Sequence, residues 1–145
     1  MNIVRFEKHH IPALCELEKI CFSSPWSEKS FEEELSNPLA VFLVAEDENG
    51  VLGYVGCHFV YGEGDITNVA VHPDSRRKGV AKALMKALEA ESKEFEAEVI
   101  NLEVRKSNLP AINLYKLLGY EECGERPNFY TKPVENAILM AKKVK

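Results

Sequence analysis

The chain has no apolar run approaching the ~20 residues that a membrane-spanning helix needs, so no membrane partner is expected. Its opening, MNIVRFEKHH, lacks the build of a signal peptide or a transit segment. Cysteine is scarce: Cys15, Cys21, Cys57 and Cys123 show no CxxC spacing, which argues against a zinc ribbon or a disulfide framework. They read as reduced, mostly buried thiols of a cytoplasmic protein. His9, His10, His58 and His72 form no ligand pattern, and no metal is expected. Positive charge is also in deficit. The net charge is −5 and the pI about 5.5, which disfavours a nucleic-acid reader and would suit a basic partner. Neither repeats, low-complexity tracts nor linkers divide the 145 residues, so one domain, 1–145, is expected.

What is present is a regular alternation of strand and helix signals. Asn2 to Phe6 alternates as a strand, and apolar residues from Ile11 through Leu14, Leu17 and Cys21 keep helical spacing. PWSEKSFEEELSNP reads as a short helix started by a Ser27 cap and ended at Asn37-Pro38. AVFLVAED and VLGYVGCHFVY flank Asn49-Gly50 as a hairpin. DITNVAVHP is a further strand, EVINLEVR another, and NLPAINLYKLLGY a helix stopped at Gly119. YEECGERPNFY and NAILMAKKV close the chain as strands. The order β-α-α-β-β-β-α-β-α-β-β defines an α/β protein with a mixed sheet and helices packed on its faces.

The stretch RRKGVAKALMKAL places Arg76, Arg77 and Lys78 directly before Gly79. Val80, Ala81, Leu84, Met85, Ala87 and Leu88 then form one apolar stripe, so a docked helix begins at this glycine. Cations at a helix N-terminus oppose the macrodipole by about 0.3–1 kcal/mol each. An anion held by the exposed N–H groups of the first turn removes that conflict. Lys82 adds charge, Gly79 lets backbone approach a ligand, and Ala81 keeps the next turn small. Neither GxxxxGK[ST] nor GxGxxG is present, which excludes the common nucleotide loops.

VAVHPDSRRKGVAKAL resembles motif A of the GCN5-related N-acetyltransferases, whose [RQ]xxGx[GA] loop binds the pyrophosphate of acetyl-CoA; Arg76, Gly79 and Ala81 occupy its defining places. The resemblance implies an acetyl-CoA site built from Arg76, Arg77, Lys78, Gly79, Val80, Ala81 and Lys82. It also implies a mostly antiparallel sheet whose central strands splay around the pantetheine arm. Backbone groups of Val69, Ala70 and Val71 would line that arm, one N–H polarising the thioester carbonyl where negative charge develops.

Two further segments, LEVRKSNLPAINLYKLLGY and PWSEKSF, resemble the bacterial ribosomal-protein alanine N-acetyltransferases within that superfamily. By this resemblance Glu103 stands at the general base, Tyr115 at the general acid and Asn108 at a cofactor contact. The residues alone say less. Glu103 shares a strand face with Asn101 and Arg105 and could simply pair with Arg105; Tyr115 points inward with Ala111, Leu114 and Leu118 and could be a core tyrosine. The implied reaction is direct attack by a protein α-amine on acetyl-CoA in a ternary complex. An α-amine, with a pKa of about 7.7–8, demands far less of a base than lysine at about 10.4. The implied acceptor is a basic N-terminus, that of the eighteenth small-subunit ribosomal protein, beginning with alanine. Lysine or small-amine acetylation, and a non-catalytic CoA-binding module, are the rivals. GERPNFYTKPVENAILM fits the family form RxNYY…EDAxxM except at Phe129 and Asn136 and in a short connecting loop.

Overall fold

The computed structural model describes all 145 residues. Seven strands and four α-helices alternate in the expected order: β1 (Asn2–Arg5), α1 (Ile11–Cys21), α2 (Glu28–Leu35), β2 (Ala40–Asp47), β3 (Gly50–Val60), β4 (Glu63–Val71), α3 (Val80–Glu91), β5 (Val99–Arg105), α4 (Leu109–Leu117), β6 (Glu121–Thr131) and β7 (Val134–Lys143). The strands form one sheet in the order β1-β2-β3-β4-β5-β7-β6, antiparallel everywhere except where β4 meets β5. No helix is long and apolar enough to cross a membrane.

Strand alternation divides the core in two. Val41, Leu43 and Ala45 of β2 face a cluster that includes Leu84, Leu88 and Ile112 of α3 and α4. Phe42 and Val44 face the opposite cluster, with Leu14 and Leu17 of α1 and Phe31 of α2. Leu84 and Leu88 are fully buried, each contributing about 1.5–3 kcal/mol relative to an exposed side chain. Ser27 caps α2 as expected, its Oγ accepting the Ser30 N–H at 3.1 Å.

Local details depart from the sequence reading. The β2–β3 turn consists of Glu48 and Asn49, because Asp47 pairs with Gly50; a bulge at Ala45/Glu46 shifts the register. β4 starts at Glu63, after a turn in which Tyr61 and Gly62 both have positive φ (49° and 83°), the geometry that matches the twist of a hairpin. Of the cysteines only Cys57 is buried, and Cys123 is exposed.

Candidate active site

β4 and β5 pair for only three registers, Glu63 with Val99, Gly64 with Ile100 and Asp65 with Asn101. Beyond these the two strands part, while β3 and β7 continue to pair along their outer edges. The cause lies in β4: Gly56 opposes Asn68 but Cys57 opposes Ile66, so Thr67 is an extra, bulged residue. Such a bulge bends its strand and ends regular pairing. Gly56 allows the close approach. A Cβ there would lie 2.5 Å from the Phe42 ring and 2.6 Å from Thr67 Oγ1.

The resulting wedge opens into a cavity of about 560 Å³, within the range of small-molecule sites. β4 supplies Ile66 to Val69, β5 supplies Leu102 to Arg105, and Asn108 and Tyr115 contribute from the start and body of α4. The loop after α1, from Phe22 to Trp26, forms one outer wall and the β6–β7 turn, from Phe129 to Pro133, the other. Trp26 serves core and wall alike, packing on Phe31 and Phe42 with ring centroids 5.3 and 5.8 Å away.

Glu103 is exposed to this cavity. The pairing with Arg105 does not form, because Arg105 instead contacts Glu135 at 3.2 Å and donates to the carbonyls of Pro133 and Lys132. Its guanidinium also lies 4.4 Å from the Tyr130 ring centroid. Arg105 therefore ties β5 to the β6–β7 turn and leaves Glu103 free of a cation. Tyr115 is only 7% exposed, and burial, with Tyr130 nearby, pushes its phenol up to about 12. Its proton is thus fully present at neutral pH. Asn108 caps α4, its Oδ1 accepting the Ala111 N–H at 3.3 Å, which leaves its Nδ2 available to the cavity.

On β4, the His72 N–H donates to Leu52 O. By antiparallel alternation the backbone groups of Ala70 then face β3, and those of Val69 and Val71 face the open edge. The side chain of Ala70 is buried with α1 and α2, so Ala70 offers the open edge neither backbone nor side chain. Arg76 bends back to this strand, its Nε donating to Val71 O at 3.2 Å and its Nη2 lying 3.7 Å from Cys21 Sγ.

Arg77 and Gly79 both adopt left-handed φ, 63° and 79°. Gly79 is the N-cap of α3 and provides no side-chain cap to the first turn. A Cβ at Gly79 would meet nothing within 4 Å, so glycine is needed here for its φ rather than for space. Arg77, Lys78 and Lys82 are exposed around this uncapped turn. Unsatisfied N–H groups, a left-handed turn and surrounding cations fit a pyrophosphate. The loop lies outside the cavity lining itself, at the end of β4 that the cavity adjoins.

Several contributors had escaped the sequence reading. Asn136 accepts the N–H of Asn128, which has φ 53°, and donates to Glu125. The substitution for aspartate thus braces the bulge that presents Phe129. The β6–β7 connection is short, Lys132 and Pro133 lying between paired Thr131 and Val134. Most unexpected is Glu18, which lies at full burial on α1 beneath the cavity. Its signal was available, since it stands seven places after Ile11 and four after Leu14, on the apolar stripe. By contrast His9, His10 and Glu46 bring three ligand-type atoms within 4.8 Å, but His10 commits both ring nitrogens, to the Glu7 N–H and to Glu46.

Residues 11–120 match the acetyltransferase (GNAT) family, and the chain belongs to that family: it is an N-acetyltransferase. Among its relatives, a Bacillus subtilis (strain 168) protein provisionally named ribosomal protein bS18-alanine N-acetyltransferase is 40% identical over 126 residues, 86% of this chain and 83% of that protein. The Escherichia coli (strain K12) ribosomal protein bS18-alanine N-acetyltransferase is 34% identical over 143 residues, 97% of this chain and 95% of that one. The crystal structure of the Escherichia coli ribosomal-protein-S18-alanine N-acetyltransferase superposes with a TM-score of 0.90 at 32% identity, covering 99% of this chain and 94% of that chain.

Proposed function

We propose that residues 1–145 form one cytoplasmic acetyltransferase unit that transfers acetyl from acetyl-CoA to the α-amine of a basic protein N-terminus, the N-terminal alanine of ribosomal protein bS18 being the foremost candidate. The observation that carries the chemistry is a cation-free Glu103 and a neutral, buried Tyr115 opening onto the same wedge between β4 and β5. The acceptor class rests on the names of the relatives at 34–40% identity.

Acetyl-CoA supplies the activated acetyl group. Val80, Ala81 and Lys82 offer first-turn N–H groups to its pyrophosphate, joined by the charges of Arg77 and Lys78, while Arg76 fixes the end of β4 and adds charge. The open-edge backbone groups of Val69 and Val71 face the pantetheine arm, and Asn108 Nδ2 reaches the same region. Glu103 takes a proton from the attacking amine through water, an adequate base for a group that is already partly neutral near pH 7. Tyr115 Oη delivers a proton to the departing thiolate. Direct attack leaves no covalent acetyl-enzyme, so no nucleophilic side chain is required.

The test is tandem mass spectrometry of an alanine-started basic peptide and an α-blocked peptide with an internal lysine, each incubated with enzyme and acetyl-CoA. Label on the first α-amine alone is the expected result. Label confined to lysine overturns the acceptor assignment.

A further inference from the structure

Glu18 is a carboxyl group with no exposed surface and no salt-bridge partner. Its Oε1 accepts the Trp26 backbone N–H at 2.8 Å, and its Oε2 lies 2.7 Å from Tyr54 Oη. Tyr54, on β3, is itself fully buried and lies 3.0 Å from the Asn68 amide on β4. The titratable groups around Glu18 are Tyr54 from β3 and Cys15 and Cys21 from its own helix; Arg76, beside Cys21, is bonded to Cys21 and Val71. Nothing here neutralises a buried negative charge, which is costly unless paired.

The Asn68 amide decides where the protons lie. With Nδ2 toward Tyr54, the nitrogen also reaches Glu18 Oε2, at a long 3.4 Å, but it then opposes the Trp26 indole N–H while the amide oxygen opposes the Thr67 carbonyl. Turned over, Nδ2 donates to the Thr67 carbonyl, and Oδ1 accepts from Tyr54 Oη at 3.0 Å and from Trp26 Nε1 at 3.2 Å. Tyr54 has a single hydroxyl hydrogen. If that hydrogen goes to Asn68, the Tyr54 oxygen must accept from Glu18, and Glu18 Oε2 must carry a proton. If Glu18 were ionised it would claim the Tyr54 hydrogen, turn Asn68 back, and set the Trp26 indole N–H against an amide NH₂.

We infer that Glu18 is a neutral carboxylic acid and a positioning residue, whose proton completes the chain Glu18–Tyr54–Asn68–Trp26 and so fixes the two walls of the acceptor slot against each other. One wall is the loop after α1, held through the backbone and the indole of Trp26. The other is the β4 bulge, held through the Thr67 carbonyl. Both line the cavity. In this arrangement each polar side-chain atom of the chain has at least one partner, the condition under which a buried polar network rigidifies rather than destabilises. Burial raises the Glu18 carboxyl above its ordinary range, in the same sense. The functional part of this inference rests on the acceptor assignment above; the proton and the positioning do not.

The experiment compares the full-length protein with Glu18→Gln and Glu18→Ala. Gln has the hydrogen-bonding pattern of the neutral acid, donating to Tyr54 and accepting from Trp26. An infrared difference spectrum between wild type and Glu18→Gln at neutral pH is expected to contain the carbonyl band of a protonated carboxyl; carboxylate bands alone would overturn the neutral-acid assignment. The chain has one tryptophan, so its indole gives one ¹H–¹⁵N resonance. That resonance is expected to coincide in wild type and Glu18→Gln and to move in Glu18→Ala; an unmoved resonance overturns the positioning role whether or not any peptide is acetylated. Where the alanine-started peptide is a substrate, Glu18→Ala is expected to raise its KM roughly tenfold with the acetyl-CoA KM unchanged, and Glu18→Gln to restore it. Equal impairment of Glu18→Gln and Glu18→Ala in a folded protein also overturns the proposal, since it would mean that the charge is required. An infrared band and a shifted indole without any α-amine acetylation would retire the acceptor assignment and leave the Glu18 network standing.

Discussion

Arg105 binds Glu135 at 3.2 Å rather than the glutamate two places before it on its own strand. The choice has two effects. It anchors the β6–β7 turn over the cavity, and it leaves the Glu103 carboxylate without a cation partner. Glu135 also accepts the Ser107 N–H at 2.7 Å. Ser107 foremost, with Arg105, holds its carboxyl below the usual range.

Arg105→Ala is therefore expected to loosen this wall and raise the acceptor KM roughly five- to tenfold, the loss of one charged hydrogen-bonding group, while the acetyl-CoA KM stays unchanged. Arg105→Lys should not restore it, because lysine cannot reach two carbonyls, a carboxylate and a ring face together. Because the Glu135 pKa is depressed on folding, its tether is complete above the unfolded value of about 4.3 and is lost as pH falls through the folded value. Steady-state kinetics for each substrate, together with an acid titration of hairpin amides by NMR, check both statements.

Tyr115→Phe removes the proton donor and keeps the packing. A loss of about 10²–10⁴-fold in kcat is expected, with little change in thermal stability. Burial raises the phenols of Tyr115 and Tyr130 to about 12. Their stabilising effect is therefore complete below the unfolded value of about 10 and disappears as pH rises through about 12. Alkaline unfolding followed by circular dichroism measures this, and a Tyr115→Phe protein should lose part of the dependence.

Much of this architecture was legible locally. The stripe on α3, the Ser27 cap and the inward Tyr115 all follow from periodicity and turn chemistry, and each element appeared in its expected place. Parting of β4 from β5 was implied only by family resemblance, because its cause is a bulge at Thr67 registered against Gly56 on another strand. Nothing local in either segment records that pairing. The partner of Arg105, for which the sequence offered only Glu103, was hidden for the same reason: Glu135 is adjacent only once β7 folds beside β5. Glu18 escaped because a glutamate on an apolar stripe reads as an imperfection until Tyr54 and Asn68 are seen beside it.

The loop before α3 makes a separable prediction. Gly79→Ala forces an L side chain into φ 79°, costing about 1–2 kcal/mol of backbone strain, although the Cβ itself has room. Affinity for acetyl-CoA should fall while the acceptor KM is unaffected. Replacing Arg77 and Lys78 by alanine should weaken CoA binding and flatten its salt dependence, as calorimetric titration at two ionic strengths would reveal.

The most direct test of the account is the single-turnover rate of acetyl transfer to an alanine-started peptide by Glu103→Gln, with acetyl-CoA binding measured on the same sample. Loss of a general base predicts a fall of about 10²–10⁴-fold, smaller at alkaline pH where the amine is already neutral, with acetyl-CoA affinity unchanged. A rate equal to that of the wild type would contradict the assignment of Glu103 and return the chemistry of this cavity to other groups.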